Sequence, residues 1–171
     1  MILGRVRDPR LVTVRRGGSL SDVDHRHLAR WAATCAERVL PLFQAAEPND
    51  PRPRLAIEAA RAWACGDCSM TLARATGGHA MAAARPLGGA ARFAAYAAGQ
   101  AACVPHVAEH DLGAAAYAIK AVRAAATAGD ADAAGFRERD WQRGQLPEAV
   151  RDLVLEDQER RNDLCWFVFA P

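Results

Sequence analysis

The chain has 171 residues, of which 51% are apolar and 25% charged, and its formal net charge is +2. This length and composition fit one soluble domain, and so small a net charge gives no reason to expect a nucleic-acid partner. Forty alanines and few β-branched residues favour helices over sheets. We therefore predict an all-α fold, a single-domain bundle of about six to eight helices.

The first 20 residues differ from the rest of the chain. Valines and leucines alternate there with arginines, and two glycines close the stretch. This pattern predicts a short extended arm over residues 1–20, packed on a helical domain that spans residues 21–171. Residues 1–30 hold seven arginines and three acids, whereas residues 130–171 hold six arginines and ten acids. We expect these two oppositely charged ends to lie against each other.

The first helix is predicted to begin at Ser21 or Asp24 and to run to about Ala46. Apolar residues recur there at three- and four-residue steps, which places them on one face of a helix. They are Leu28, Trp31, Ala32, Cys35, Val39, Leu42 and Phe43. Pro41 removes one hydrogen bond of this helix and is expected to bend its last turns.

Proline and glycine divide the middle of the chain. Asp50 can cap a second helix that has Pro51 in its first turn. A third segment is predicted over residues 67–75. The glycine pair at 77–78 is expected to end it, because glycine is common just past a helix end, and a separate short helix would follow over residues 79–85.

The later helices are first rich in alanine and then in acids. One is predicted over residues 90–110, with a bend near Pro105, and the next over residues 112–127, capped by Asp111. Two amphipathic helices are expected after Gly129.

The C-terminal run from Leu164 to Phe169 is too apolar to lie free in water. We expect this tail to dock on the domain or on a partner chain. A homo-oligomer that assembles through the tail is one interpretation of it.

Cysteines and histidines form the main candidate for chemistry. His106 and His110 are one helical turn apart and can present both imidazoles to the same side. Cys65 and Cys68 have the two-residue spacing of a zinc-binding pair, and two of Cys103, His106 and His110 could complete four ligands. The alternative is that both histidines are hydrogen-bonded within the bundle, without a metal.

Other catalytic and cofactor patterns are lacking. Glu109 precedes the second histidine, so the HExxH order of metalloproteases is not formed, and neither a G-x-S-x-G turn nor a phosphate-binding glycine loop occurs. The sequence therefore predicts no catalytic residue and no cofactor.

The cysteines and the hydropathy indicate where the protein resides. An odd set of five cysteines, with no signal peptide before them, predicts a cytoplasmic protein with reduced thiols. The longest uncharged stretch, residues 93–108, is too short and too polar to cross a membrane, so no membrane partner is expected.

Four segments carry a family resemblance: DHRHLARWAATCAERVLPLFQ, PNDPRPRLAIEAARAWACG, GGHAMAAARP and AACVPHVAEHDLGAAAYAIKAV. They resemble a family of alanine-rich, all-helical immunity proteins of bacterial toxin systems, over roughly residues 22–125. The resemblance implies a cytoplasmic all-α protein that binds and neutralises a toxin protein non-covalently, and it assigns no binding residues. The alternative is a small helical enzyme or ligand-binding protein whose pocket lies near His106 and His110, with or without a metal.

Overall fold

The computed structural model describes residues 3, 4 and 6–170, and this part of the chain contains seven α-helices and no strand. The helices are α1 (Asp22–Gln44), α2 (Arg52–Cys65), α3 (Met70–Ala84), α4 (Gly89–Cys103), α5 (His110–Ala125), α6 (Ala131–Gly144) and α7 (Glu148–Arg160). The predicted all-α bundle is therefore confirmed.

α4 occupies the centre of the bundle and packs against α1, α2, α3 and α5. Every residue from Ala94 to Cys103 is buried except Tyr96, which is half-buried. A helix that is apolar on all sides is one that other helices surround. Most of these side chains are single methyl groups, so the neighbouring helices can approach α4 closely.

α1 and α2 begin much as the sequence predicts. Ser21 caps α1, since its Oγ accepts a hydrogen bond from the Asp24 amide, and Asp50 Oδ1 accepts one from the Arg52 amide at the start of α2. Trp31 on α1 is buried and its Nε1 donates to the carbonyl of Gln142 on α6, at 2.9 Å. Trp31 is thus a core residue that also joins two helices.

α3 and α4 cross at a contact between two glycines. A Cβ added to Gly77 would lie 2.8 Å from the carbonyl oxygen of Gly99 and 3.0 Å from Cys103 Sγ. Gly77 and Gly78 lie inside α3, so the prediction that they end a helix is wrong. Glycine lowers helix propensity here, but at Gly77 only glycine lets the two backbones meet.

Two further boundaries differ from the prediction. α4 ends at Cys103, and a turn over residues 104–109 that contains Pro105 separates it from α5, so the bent helix over residues 90–110 was wrong. Asp111 lies in the first turn of α5 and does not cap it. Its carboxylate accepts a hydrogen bond from the amide of Leu112, the next residue.

Residues 6–20 of the N-terminal arm form two short helical turns, whereas the sequence predicted an extended arm. These are the 3-10 helices Pro9–Leu11 and Val14–Arg16, and an isolated β-bridge joins Thr13 to Leu20. The prediction that the two ends of the chain meet is confirmed. Arg10 Nη1 lies 2.7 Å from Glu156 Oε2, and Arg160 Nη2 lies 3.6 Å from Asp8 Oδ2.

A buried ionic network joins the start of α5 to the end of α7. Arg161 donates to both carboxylate oxygens of Asp157 and to the carbonyl of Glu109, and it lies 3.6 Å from Asp111 Oδ1. Arg7 of the arm reaches the Glu109 carboxylate at 2.5 Å. Burial raises the pKa of Asp111, and the charge of Arg161 opposes that shift. Because these groups are buried, removal of one would leave another without compensation.

The glycine contact predicts opposite effects for two adjacent substitutions. Gly77→Ala should lower the free energy of unfolding by roughly 1–3 kcal/mol, because its methyl group would press on the α4 backbone. Gly78→Ala is the matched control, since nothing lies within 4 Å of an added Cβ there. It should raise the free energy of unfolding by about 0.5–1 kcal/mol through helix propensity. Denaturant unfolding measures both, and equal shifts would contradict the helix crossing.

Candidate functional site

The five predicted metal ligands are spread over several elements. Cys65 ends α2 and is exposed, Cys68 is half-buried in the turn before α3, and Cys103 ends α4 and is buried. His106 lies in the turn after α4 and His110 begins α5. Among the residues that the structure describes, no three His, Cys, Asp or Glu side chains are grouped so that they could hold a metal ion. The metal site stays a prediction, which elemental analysis of protein purified without chelators tests.

The two histidines differ in their hydrogen bonding. His110 Nδ1 lies 2.7 Å from Gln100 Oε1, and because that oxygen only accepts, Nδ1 donates. Burial, with the charge of His106 and of nearby arginines, lowers the pKa of His110 to about 4. His106 Nδ1 is buried and has no hydrogen-bond partner among the described residues. The alternative prediction was that both histidines are hydrogen-bonded within the bundle. His110 makes such a hydrogen bond, whereas His106 Nδ1 makes none with the described residues.

The C-terminal tail docks on the bundle with some of its side chains and exposes others. Cys165, Val168 and Phe169 are buried, which confirms the predicted docking, whereas Trp166 is 41% and Phe167 66% exposed. Trp166 and Phe167 both have φ of 58°, a left-handed conformation that is costly for residues other than glycine. Such backbone strain persists only where the surroundings enforce it, and it clusters at functional sites.

Polar contacts fix the end of the tail. Arg143 of α6 donates to the carbonyl of Phe169 at 3.1 Å, and Arg139 donates to the carbonyl of Ala170. The amide of Phe169 donates to Asn162 Oδ1 at 3.1 Å. Because Phe169 and Ala170 are held in this way and Cys165 is buried, the exposed pair Trp166 and Phe167 keeps a defined position between them.

Trp166 continues a stack of aromatic rings on α4 and α5, which the sequence analysis missed. The Tyr117 ring centroid lies 5.0 Å from that of Trp166, 5.1 Å from that of Tyr96 and 6.2 Å from that of Phe93. We call Phe93, Tyr96, Tyr117, Lys120, Trp166 and Phe167 the aromatic surface. The three-residue spacing of Phe93 and Tyr96, and of Tyr117 and Lys120, was the available signal in the sequence.

Lys120, the only lysine of the chain, lies among these rings. Its Nζ is 3.7 Å from the ring centroid of Trp166 and 4.7 Å from that of Phe93. Within the described part of the chain it has no carboxylate or hydrogen-bond acceptor as a partner. Burial lowers the pKa of Lys120. The ammonium is thus held by ring faces, and its donors remain available to a partner.

A shallow cavity of about 380 Å³ adjoins Lys120, and Phe93, Arg123 and Trp166 line it. Arg123 pairs with Asp132, so Lys120 is the unpaired cation of this cavity among the described residues. Trp, Tyr and Arg side chains contribute most of the affinity at protein-binding surfaces. The described residues thus form an all-helical protein with an exposed aromatic surface beside Lys120.

Comparison with protein families assigns the chain to a family. The family model of the Imm-5 like putative immunity protein matches residues 18–149, and the chain belongs to this family. Neither the curated proteins nor the solved structures gave a significant match. The matched segment covers α1 to α6 and ends as α7 begins, so the tail lies beyond it. No described helix combines the length and the apolarity that crossing a membrane requires.

His25 on α1 is buried against the turn after α4. Its Nε2 lies 2.7 Å from the Val104 carbonyl and its ring meets Trp63 edge-on, with centroids 4.8 Å apart. Burial lowers the pKa of His25; the charge of Asp22 opposes this shift and that of Arg16 adds to it.

This burial predicts a loss of stability in acid. Unfolded His25 titrates near 6.5 and the folded residue below that value. The contribution of the buried, neutral His25 ring to the free energy of unfolding is therefore fully present above pH 6.5. It is lost as the pH falls through the pKa of the folded residue. Denaturant unfolding should show a steeper decline towards acid for the wild type than for His25→Gln, whose amide can still donate to Val104. Parallel curves would contradict the assigned burial of the ring.

Proposed function

We propose that this protein neutralises a bacterial toxin by non-covalent association and that the aromatic surface is its main contact. Membership of the immunity family supports the role. The observation that carries the choice of surface is the Lys120 ammonium, which lies between the rings of Phe93 and Trp166 without an anionic partner in the described chain.

The chemistry of this surface specifies what it would bind. Trp166 and Phe167 offer apolar area whose burial would stabilise a complex by about 25 cal/mol per Å². Lys120 lies beside them and can bind a carboxylate, and the Arg92 guanidinium lies over Tyr96, 5.6 Å from its ring centroid. The expected contact on the toxin is therefore an apolar side chain next to an Asp or Glu. A carboxylate opposite Lys120 would compensate the ammonium charge when the contact excludes water, whereas an apolar group alone would leave that charge unpaired.

A second copy of the chain fits the surface less well than a toxin does. In a two-fold symmetric dimer the same patch faces itself, so each Lys120 would approach its counterpart. Like charges at an interface are unfavourable, and Arg92 adds a further cation. Charge complementarity thus favours a different, acidic partner over the homo-oligomer.

The thiols are consistent with action in the cytoplasm. All five cysteines are free. Burial raises the pKa of Cys35, of Cys103 and of Cys165, which keeps those thiols protonated and unreactive. A reducing compartment is where such a set persists without oxidation.

Binding measurements with the toxin encoded beside this gene test the proposal. The wild type should bind it, and Trp166→Ala, Phe167→Ala and Lys120→Met should each raise Kd at least tenfold, by hot-spot losses of about 2 kcal/mol. Phe136→Ala is the matched control, because Phe136 is an exposed ring outside the aromatic surface. Calorimetric titration measures Kd, and circular dichroism checks that each variant is folded.

Two results would overturn the proposal. If the wild type fails to bind that toxin or to protect cells from it, the toxin-neutralising role is wrong. If it binds and the three variants bind equally well, the role stands and the surface is wrong. Light scattering measures the oligomeric state. A wild type that is a dimer and a Phe167→Ser variant that is a monomer would instead favour the homo-oligomer.

A further inference from the structure

A cleft lined by arginines opens between the N-terminal arm, the start of α1, the end of α2 and the turn after α4. Its first lobe has a volume of about 240 Å³, and Arg7, Arg15 and Arg16 are among its walls. The second lobe, of about 280 Å³, shares Arg15, Asp22, Trp63 and Met70 with the first and adds Arg26. We call the two lobes together the arginine cleft, and none of its residues belongs to the aromatic surface.

The charge of the cleft is positive. Among the described residues that line the two lobes, Asp22 is the only one with a carboxylate, and it lies 2.7 Å from Arg15. Glu109, which lines neither lobe, pairs with Arg7. No carboxylate of the described part of the chain pairs with Arg16 or Arg26. A concave site with an excess of one charge concentrates ligands of the opposite charge.

Hydrogen-bonding groups without partners lie in the wall of the cleft. Arg16 donates to the His106 carbonyl at 3.1 Å, which occupies one of its five N–H groups. His106 lines the first lobe, and its buried Nδ1 has no partner among the described residues. An unsatisfied buried polar group is unfavourable, and a protonated Nδ1 can donate to an oxygen of an anion.

Trp63 supplies a flat apolar wall between the lobes. The indole is half-buried and lines both lobes. His25 holds it edge-on from one side. A planar ring of a ligand can pack against an indole in an offset or edge-to-face arrangement.

We propose that the arginine cleft binds a small phosphorylated molecule that carries a planar ring, of the nucleoside monophosphate class. The phosphate would lie among Arg15, Arg16 and His106, and the ring against Trp63. Phosphate suits this site better than a carboxylate, because its three free oxygens can accept from two guanidinium groups and an imidazole together. A typical ligand pocket has a volume of roughly 300–1,000 Å³, and each lobe is smaller than that. This size favours a small molecule such as a nucleoside monophosphate over a nucleic-acid strand.

Calorimetric titration of the full chain at low salt tests the proposal, with adenosine monophosphate, adenosine and inorganic phosphate as separate probes. The monophosphate should bind more tightly than either of the others. Arg16→Gln and the double variant Arg15→Gln, Arg16→Gln should each weaken it about tenfold or more, since a charge-assisted hydrogen bond is lost. Trp63→Leu should weaken the monophosphate and leave the affinity for inorganic phosphate unchanged.

Arg54→Gln is the matched control, because Arg54 is an exposed arginine of α2 that pairs with Glu58 outside both lobes. Arg15 is 81% exposed, so its substitution leaves the fold intact. The proposal is overturned if no phosphorylated probe binds at millimolar concentration, or if Arg16→Gln binds like Arg54→Gln. Equal affinity for the monophosphate and inorganic phosphate would overturn the contact with Trp63.

Discussion

The close approach of α4 to the four helices around it is the constraint on which the rest of the structure depends. A buried alanine removes little surface from water, so a core built mainly of alanine gains less from the hydrophobic effect than one of leucine. Dispersion forces across tight contacts make up part of this difference, and they fall off within a fraction of an ångström. The carbonyl of Gly99 already lies where a side chain on Gly77 would need space. The helix arrangement is therefore fixed by the small residues at the helix contacts, alanine and glycine, and by the few large residues between the helices, such as Trp31.

Both surfaces discussed above depend on this central helix. Phe93 and Tyr96 lie in its first half and contribute to the aromatic surface, while the turn that follows Cys103 carries His106 to the arginine cleft. The eleven residues from Phe93 to Cys103 span about 15 Å of helix axis. The two surfaces are thus held at separate positions on one rigid element and share no residue, which allows each to bind its own ligand.

Local signals in the sequence predicted the features that depend on neighbouring residues. The periodic apolar face and the Ser21 cap defined α1, and Asp50 with Pro51 marked the start of α2. Contacts between distant residues could not be predicted in this way. Gly77 looked like a helix end because its partner, Gly99, is on another helix. The spacing of Cys65 and Cys68 suggested a ligand pair, yet spacing does not show what lies opposite. The aromatic surface forms only when the tail meets α4 and α5.

The tail lies beyond the family match. The helices α1 to α6 fall within the match, whereas Trp166 and Phe167 follow it. The buried network of Arg161, Asp157 and Asp111 lies immediately before the tail, and Arg139 and Arg143 bind its end. These charges cost desolvation, but they fix the direction in which the chain leaves α7. The bundle thus holds the exposed rings of Trp166 and Phe167 in a fixed position beside Lys120, and the proposed contact with a toxin rests on that position.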